Sequence, residues 1–431
     1  MAVGGLDWLY GLAQFGIKFG LENIRAIVAE LGHPERHFKS VHVAGTNGKG
    51  SVTALVDAAL RASGHRTGRY TSPHLLDLRE RFVVDGTPVS EYDLLTTLDA
   101  VRDAVARLQA RGALEVHPTF FEVTTAVAFE LFRRHDVAVA VCEVGLGGRL
   151  DATNVLSPVT CAITSIAFDH EQYLGHSLRD IALEKAGIVK PGVPVVVGPL
   201  AAEADTAIAG VARERHAPLV RAMDGVELGA VHSDADGRQH FTLRTPAHDY
   251  GTVRLALAGA HQVLNAVVAV RLLEEAGSQG IPVAAHAVAD ALASVRWPGR
   301  LEHLTLANGA DALLDAAHNA AGAEALARYL ATIGPKRPLV FSAMRDKDAL
   351  SMLRFLVPHV SRVVVTRASN PRADAPQVLA DLVRSVAPAV QVDVVEAPAD
   401  AVAQASADGT PIVVAGSIFL LADVMREARR S

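Results

Sequence analysis

The chain of 431 residues holds only two cysteines, Cys142 and Cys161, too few to build a disulfide framework. Each sits inside an apolar run, which predicts two reduced core thiols in a cytoplasmic protein. No excess of basic charge is present: 41 basic against 47 acidic side chains leave a net charge of −6, which argues against a general nucleic-acid binder. Long apolar runs are missing as well, because histidine, glycine, proline or a charge interrupts every stretch short of the ~18 residues a membrane span needs. The N-terminal segment carries Asp7 early and has no basic leader or small-residue cleavage site, so neither membrane nor secretion is expected. Lysine is the other scarcity, with seven against thirty-four arginines.

What is present is a globular composition, 50% hydrophobic and 20% charged, at a length that suits two or three domains. Short β-branched runs at 41–44, 137–142, 159–167 and 193–197 alternate with amphipathic stretches at 51–62, 121–134 and 177–188. Continuous apolar strands separated by helices predict a doubly wound parallel sheet, covered on both faces. Residues 226–257 instead alternate around Asp236-Gly237 and Tyr250-Gly251, the pattern of a small antiparallel patch. Helices over 261–276 and 283–295 lead into Arg296-Trp297-Pro298-Gly299-Arg300, where proline followed by glycine stops a helix. This places a first domain at 1–296, a hinge linker at 297–300 and a smaller Rossmann-like α/β domain at 301–431. A hairpin around Asn308-Gly309 opens the second domain, followed by apolar runs at 339–342, 362–366, 392–395 and 412–415.

The strongest motif is Ala44-Gly45-Thr46-Asn47-Gly48-Lys49-Gly50-Ser51, between an apolar strand and a helix. Its glycines let backbone N–H groups converge on a phosphate at the positive end of the helix, Lys49 adds a point charge, and the Ser51 hydroxyl suits magnesium. The match to the usual phosphate loop is imperfect, since Gly50 separates Lys49 from Ser51. The next strand ends in Glu143, an oxygen ligand suited to magnesium, and the one after ends in Phe168-Asp169-His170, so a second ligand-type residue reaches the same sheet edge. By spacing alone Lys185 is the cation of an exposed helix face, whereas His261 and Asn265 lie four apart on one helix face and can both hydrogen-bond a nucleotide.

These motifs in this order resemble folylpolyglutamate synthase, within the Mur ligase superfamily. The matching stretches are 45–51, Thr71-Ser72-Pro73-His74-Leu75, His117-Pro118-Thr119-Phe120-Phe121-Glu122, 143–154, Phe168-Asp169-His170 and 184–191. They continue through 261–266, Trp297-Pro298-Gly299-Arg300, Asp315-Ala316-Ala317-His318-Asn319, Asp346-Lys347-Asp348 and Gly416-Ser417, and Ala316 departs from the glycine usual in the family.

The resemblance implies ATP on Gly45, Thr46, Asn47, Gly48, Lys49, Gly50 and Ser51, with further nucleotide contacts from His261, Asn265, Arg300 and Asp315. It implies two magnesium ions on Ser51, Glu143, His170 and a carbamylated Lys185, which reverses the reading of Lys185 from spacing. Lys49, Lys185, Asp315 and His318 would be catalytic. His318 and Ser417 would lie near the incoming L-glutamate, and Ser72, Phe121, Arg149 and Asp151 near the reduced folate or dihydropteroate. The implied enzyme is a monomeric, cytoplasmic ATP-dependent ligase. The motifs do not separate folate glutamylation from dihydrofolate synthesis. A phosphate-loop kinase or nucleotide switch is the competing class; it would not need the 315–319 motif, and its turnover would not depend on glutamate.

Overall fold

The computed structural model describes residues 4–16, 18–114, 116–234 and 237–430. Its first sheet has eight strands, β1 (Lys39–Ala44), β2 (Thr67–Tyr70), β3 (Phe82–Val84), β4 (Thr87–Pro88), β5 (Val139–Glu143), β6 (Thr160–Ile163), β7 (Val195–Val197) and β8 (Leu219–Arg221). They lie in the order β4-β3-β2-β5-β1-β6-β7-β8, and every pair from β2 across to β8 is parallel. The central strands β5 and β6 are buried along their whole length, as expected where helices cover both faces. The sequence pattern did not anticipate β3 and β4, which add an antiparallel edge. From β1 the chain moves outward to β2, returns through β5 beside β1, and then crosses to β6 on the far side. That reversal of direction leaves a crevice beyond the carboxyl ends of β5, β1 and β6, where open α/β sheets bind ligands.

A second sheet is small and antiparallel: β9 (Glu227–Leu228), β10 (His232–Ser233), β11 (Arg238–Arg244) and β12 (Asp249–Ala258). The expected patch is there, with one correction. Tyr250-Gly251 lies inside β12, and the reversal falls at residues 245–248, where the Thr245 hydroxyl accepts the amides of Ala247 and His248 at 3.2 and 3.0 Å. Asp236 of the other expected turn lies outside the described residues.

The third sheet comprises β13 (Glu302–Thr305), β14 (Asp311–Asp315), β15 (Leu339–Phe341), β16 (Val363–Val365), β17 (Val392–Val394) and β18 (Ile412–Ala415), in the order β13-β14-β18-β15-β16-β17. Only β13 is antiparallel, forming the expected hairpin with β14. Cys142 and Cys161 are both buried free thiols, and burial raises both acidities' pKa, Cys161 to about 12. Among the described residues, no helix is long and apolar enough to cross a membrane.

His42, on β1 just before the phosphate loop, is fully buried, and its Nε2 meets the Thr153 hydroxyl at 2.8 Å. Burial lowers its pKa from 6.5 to about 3, with repulsion from Lys190 adding to the effect. The folded protein therefore holds this ring neutral while the unfolded chain takes up a proton below pH 6.5. Acidification from there towards pH 3 should cost about 1.4 kcal/mol of stability per pH unit through this ring. Urea denaturation across that range should show a steeper loss of stability in the parent than in His42→Gln; equal slopes would contradict the assignment.

Candidate active site

The phosphate loop is assembled by the end of β6 as much as by its own glycines. Thr46 N donates to Ser165 O at 2.8 Å and Asn47 N to Ser165 Oγ at 2.9 Å, while the Thr164 hydroxyl donates to Asn47 O at 2.6 Å. Gly48 takes a left-handed φ of 84° as the N-cap of the helix Lys49–Ala62, and a Cβ there would run into the Asn265 amide. That helix starts directly at the loop, so its free N–H groups and positive dipole end face the crevice. Lys49 folds back to donate from Nζ to Gly45 O at 3.0 Å and Thr46 O at 3.1 Å. Desolvation lowers its pKa, and the nearby carboxylates of Glu143 and Asp169 oppose that shift.

Glu143, at the end of β5, is buried and accepts one long bond, 3.3 Å, from Ser72 N. Burial raises its pKa and the charge of Lys49 works against the rise. Lys185 sits near the end of the helix Leu178–Ala186 with 4% exposure, so the exposed-face reading taken from spacing is wrong. Its Nζ donates to Gly45 O at 3.0 Å, and desolvation, reinforced by repulsion from Lys49, brings its pKa down from 10.5 to about 7.

All of these groups line one cavity of about 400 Å³, together with Ser51, Ser72, His170, His261, Asn265, Arg300, Asp315 and His318. Residues from both large sheets therefore face the same space, which is in the size range of small-molecule sites. Asp315 ends β14 and accepts Leu301 N at 3.0 Å and Ala317 N at 2.9 Å, fixing the chain on either side of the cavity wall. His318 donates from Nδ1 to Ala316 O at 2.9 Å, which turns Nε2 towards Asp169 Oδ2, 3.6 Å away.

Four expected residues lie off this cavity. Phe121 packs its ring against Gly145 and lies 6.0 Å from the Tyr70 ring. Arg149 pairs with Glu184 at 2.8 Å on the outside of the loop. Asp151 is a buried cap, accepting Leu146 N at 2.9 Å and Thr153 N at 3.0 Å. Ser417 is buried, and its hydroxyl accepts Phe419 N at 3.2 Å at the start of the last helix, Ile418–Arg430.

The residues that sequence reasoning left without a role are those that join the two large sheets. Asp169 accepts Lys347 Nζ at 2.5 Å and Asn319 Nδ2 at 3.0 Å. The same Lys347 Nζ lies 3.0 Å from His170 Nε2, and Asn319 exchanges side-chain bonds of 3.0 and 3.2 Å with Asn47. Burial alone would raise the Asp169 pKa, but hydrogen bonding from His318 and the charge of Lys347 outweigh it and hold the carboxyl well below its ordinary range. His170 is lowered to about 4, chiefly by desolvation. The available signals were the matching stretches 168–170, 315–319 and 346–348, in which Asp169, Asn319 and Lys347 stand, and the scarcity of lysine, which marks Lys347 as one of seven.

A phosphate loop facing a second α/β unit across one shared cavity is the layout of a ligase that activates one substrate with a nucleotide and presents another from the opposite side. Comparison with known proteins agrees. The Mur ligase middle domain matches residues 43–273 and the Mur ligase glutamate ligase domain residues 299–418. The chain is 34% identical over 379 residues to the dihydrofolate synthase/folylpolyglutamate synthase of Bacillus subtilis, covering 87% of each chain. Among solved structures, the Mycobacterium tuberculosis folylpolyglutamate synthase complexed with ADP superposes with a TM-score of 0.90 at 35% identity, over 98% of this chain and 97% of that one. Escherichia coli FolC in complex with DHPP and ADP gives 0.86 at 30% identity, over 100% and 99%. The chain belongs to the folylpolyglutamate synthase/dihydrofolate synthase family of ATP-dependent Mur ligases.

The Asp169 and Lys347 side chains are 8% and 9% exposed, so removing one partner strands a buried charge. Lys347→Ala should weaken the joined arrangement of the two sheets by about 3–5 kcal/mol. X-ray scattering should register a larger radius of gyration and proteolysis a faster cut within 297–300; an unchanged profile in both would refute the role given to this pair.

Proposed function

We propose that this chain joins L-glutamate to the γ-carboxylate of a reduced folate at the expense of ATP, and that the same cavity serves dihydropteroate as the acid. The observation that carries the proposal is the single cavity, which combines a phosphate loop with the cationic groups Lys49 and Arg300 and with a wall supplied by the other sheet. On this reading residues 1–296 bind ATP and the acid, 297–300 form the hinge and 301–431 bring the glutamate. The enzyme would work as a cytoplasmic monomer.

The carboxylate attacks the γ-phosphorus of ATP, giving an acyl phosphate and ADP. The glutamate amine then attacks the acyl carbon, phosphate leaves, and the nitrogen loses a proton as the amide forms. Gly45 to Ser51 would hold the phosphates through backbone N–H groups, and Lys49 would offset charge growing on the transferred group. His261, Asn265, Arg300 and Asp315 would contact the nucleotide, while Ser72 and His318 would face the acid and the glutamate. Phe121, Arg149, Asp151 and Ser417, which lie off the cavity, would act by shaping the loops that border it. The acyl phosphate is open to hydrolysis, so the contacts of Asp169 with the opposite sheet would serve to keep water out.

The residues present fit magnesium. Glu143 keeps lone pairs beyond its one long bond from Ser72 N, and among the described residues no cage of three or more His, Cys, Asp or Glu side chains forms. That suits an ion that takes one or two protein oxygens and completes its shell with water and phosphate. Ser51, Glu143, His170 and a carbamylated Lys185 would hold two such ions, which supply charge neutralisation for phosphoryl transfer. Lys185 fits the modification: a pKa of about 7 leaves much of the amine neutral, the form that adds to carbon dioxide with loss of a proton. The resulting carbamate keeps one N–H on Nζ, so the bond to Gly45 O can persist.

A paired assay with ATP, magnesium and labelled L-glutamate, offering dihydropteroate in one tube and tetrahydrofolate in the other, tests the proposal. Incorporation is expected in both tubes, and incorporation in neither would reject it. Lys49→Met should lower kcat by about 10²- to 10³-fold. Lys185→Ala should lose most activity and recover part of it with short added carboxylates; full activity without rescue would reject the carbamate.

A further inference from the structure

The glycine inserted between Lys49 and Ser51 has no conformational reason to be there. It lies in the first turn of the helix Lys49–Ala62 with an ordinary negative φ, where alanine would be the better residue. The reason is the tryptophan of the linker. A Cβ at Gly50 would lie 2.5 Å from Cζ2, 2.9 Å from Cε2 and 3.0 Å from Nε1 of Trp297, so the indole rests directly on the phosphate loop. The Arg69 guanidinium lies 5.3 Å from the ring centroid, and Arg69 is tied back to the same helix through Asp57 at 3.4 Å. Trp297 is thus clamped between the first turn of the phosphate-loop helix and a side chain that this helix holds.

Beyond Pro298 the allegiance changes. Gly299 donates its N–H to Glu302 Oε2 at 2.7 Å and accepts Ala316 N at 2.8 Å, and Leu301 N is held by Asp315. The chain through Trp297 therefore belongs to the phosphate loop and the chain from Gly299 onward to the third sheet, which narrows the four-residue hinge to the bonds around Pro298. Arg300, which lines the cavity, is reached only through that short passage.

We propose that Trp297 is a positioning residue that docks the start of the interdomain linker on the phosphate loop, so that the loop and Arg300 meet the nucleotide in fixed register. The inference rests on the ATP-ligase reading above. The ring makes no step of the reaction; it acts through Gly50 and Arg300.

The test is a double-mutant cycle on the full chain, read by thermal unfolding without nucleotide and by ADP affinity from calorimetry. With the indole in place, Gly50→Ala should lower Tm and weaken ADP binding by about tenfold or more, the scale of an overpacked contact. In the Trp297→Ala background the same Gly50→Ala change should leave Tm unchanged or raise it. Trp297→Ala alone should weaken ADP binding by about tenfold and raise the KM for ATP more than it lowers kcat, while Trp297→Phe should restore most of the affinity. If Gly50→Ala is equally damaging in both backgrounds, or Trp297→Ala binds ADP like the parent, the inference is overturned while the ligase reading stands. A parent that does not bind ADP overturns both. Should Gly50→Ala fail to fold, failure in the parent background with folding in the Trp297→Ala background supports the inference, and failure in both overturns it.

Discussion

The constraint on which the rest of this structure depends is the presence of several charged groups at the carboxyl ends of three adjacent buried strands. Lys49, Glu143, Lys185 and Asp169 all reach the crevice beyond β1, β5 and β6, where removal of water disfavours each charge singly. They are tolerable only as a set. Lys49 offsets Glu143, while Asp169 needs Lys347 and His318 from the opposite sheet. The architecture follows from this: the first sheet leaves Asp169 dependent on donors that only the second unit supplies. At the cavity the contact between the units is therefore polar and specific, while Leu75, Leu76 and Ala258 add apolar packing against the second unit elsewhere.

The frame was legible in the sequence because its signals are local. Apolar runs of strand length between amphipathic stretches announce a covered parallel sheet, and β1, β5, β6, β7, β15, β16, β17 and β18 appear near the places where such runs stand. The edge strands β3 and β4 escaped notice: β3 is no shorter than β7 but stands apart from the strand–helix alternation, and β4 has only two residues and contains Pro88, an edge residue without an N–H to donate. The reversal at 245–248 was misplaced. Tyr250-Gly251 looks like a turn pair, yet Gly251 with φ of 61° sits beside a register shift in the β11–β12 ladder, where glycine accommodates an irregular strand.

The site was legible in its phosphate-loop half and much less so elsewhere. Gly45 to Ser51 announce themselves because the chemistry is packed into consecutive residues. The stitching of that loop by Thr164 and Ser165 could not be read, since it depends on β6 lying beside β1, a fact of topology. Asp169 and Lys347 are separated by 178 positions, and nothing local in either predicts the other. Arg149 and Asp151 show the limit of motif density as a guide to what lines this cavity. They sit in a stretch dense with motif residues, but an arginine beside Glu184 and an aspartate beside free backbone amides find those partners first, and both are drawn away from the cavity wall.

The scarcity of lysine takes on a physical meaning at this point. Arginine serves nearly everywhere in this chain, on exposed ion pairs such as Arg107 with Glu30 and Arg221 with Asp205. Four of the seven lysines stand at recessed positions: Lys49 and Lys185 in the cavity wall, Lys347 against Asp169, and Lys190 donating to the Asn154 carbonyl at 2.8 Å with its pKa lowered to about 8 by burial, whereas Lys39 and Lys336 are exposed. A guanidinium stays charged in any such place and needs several acceptors around its planar fork, whereas an amine satisfies a narrow site and can give up its proton when water is removed. For Lys185 that difference decides what chemistry is open to it. Only a side chain that can become a neutral nucleophile in a dry cavity can turn from a cation into an anionic ligand, and arginine at the same position would leave a fixed positive charge beside Lys49.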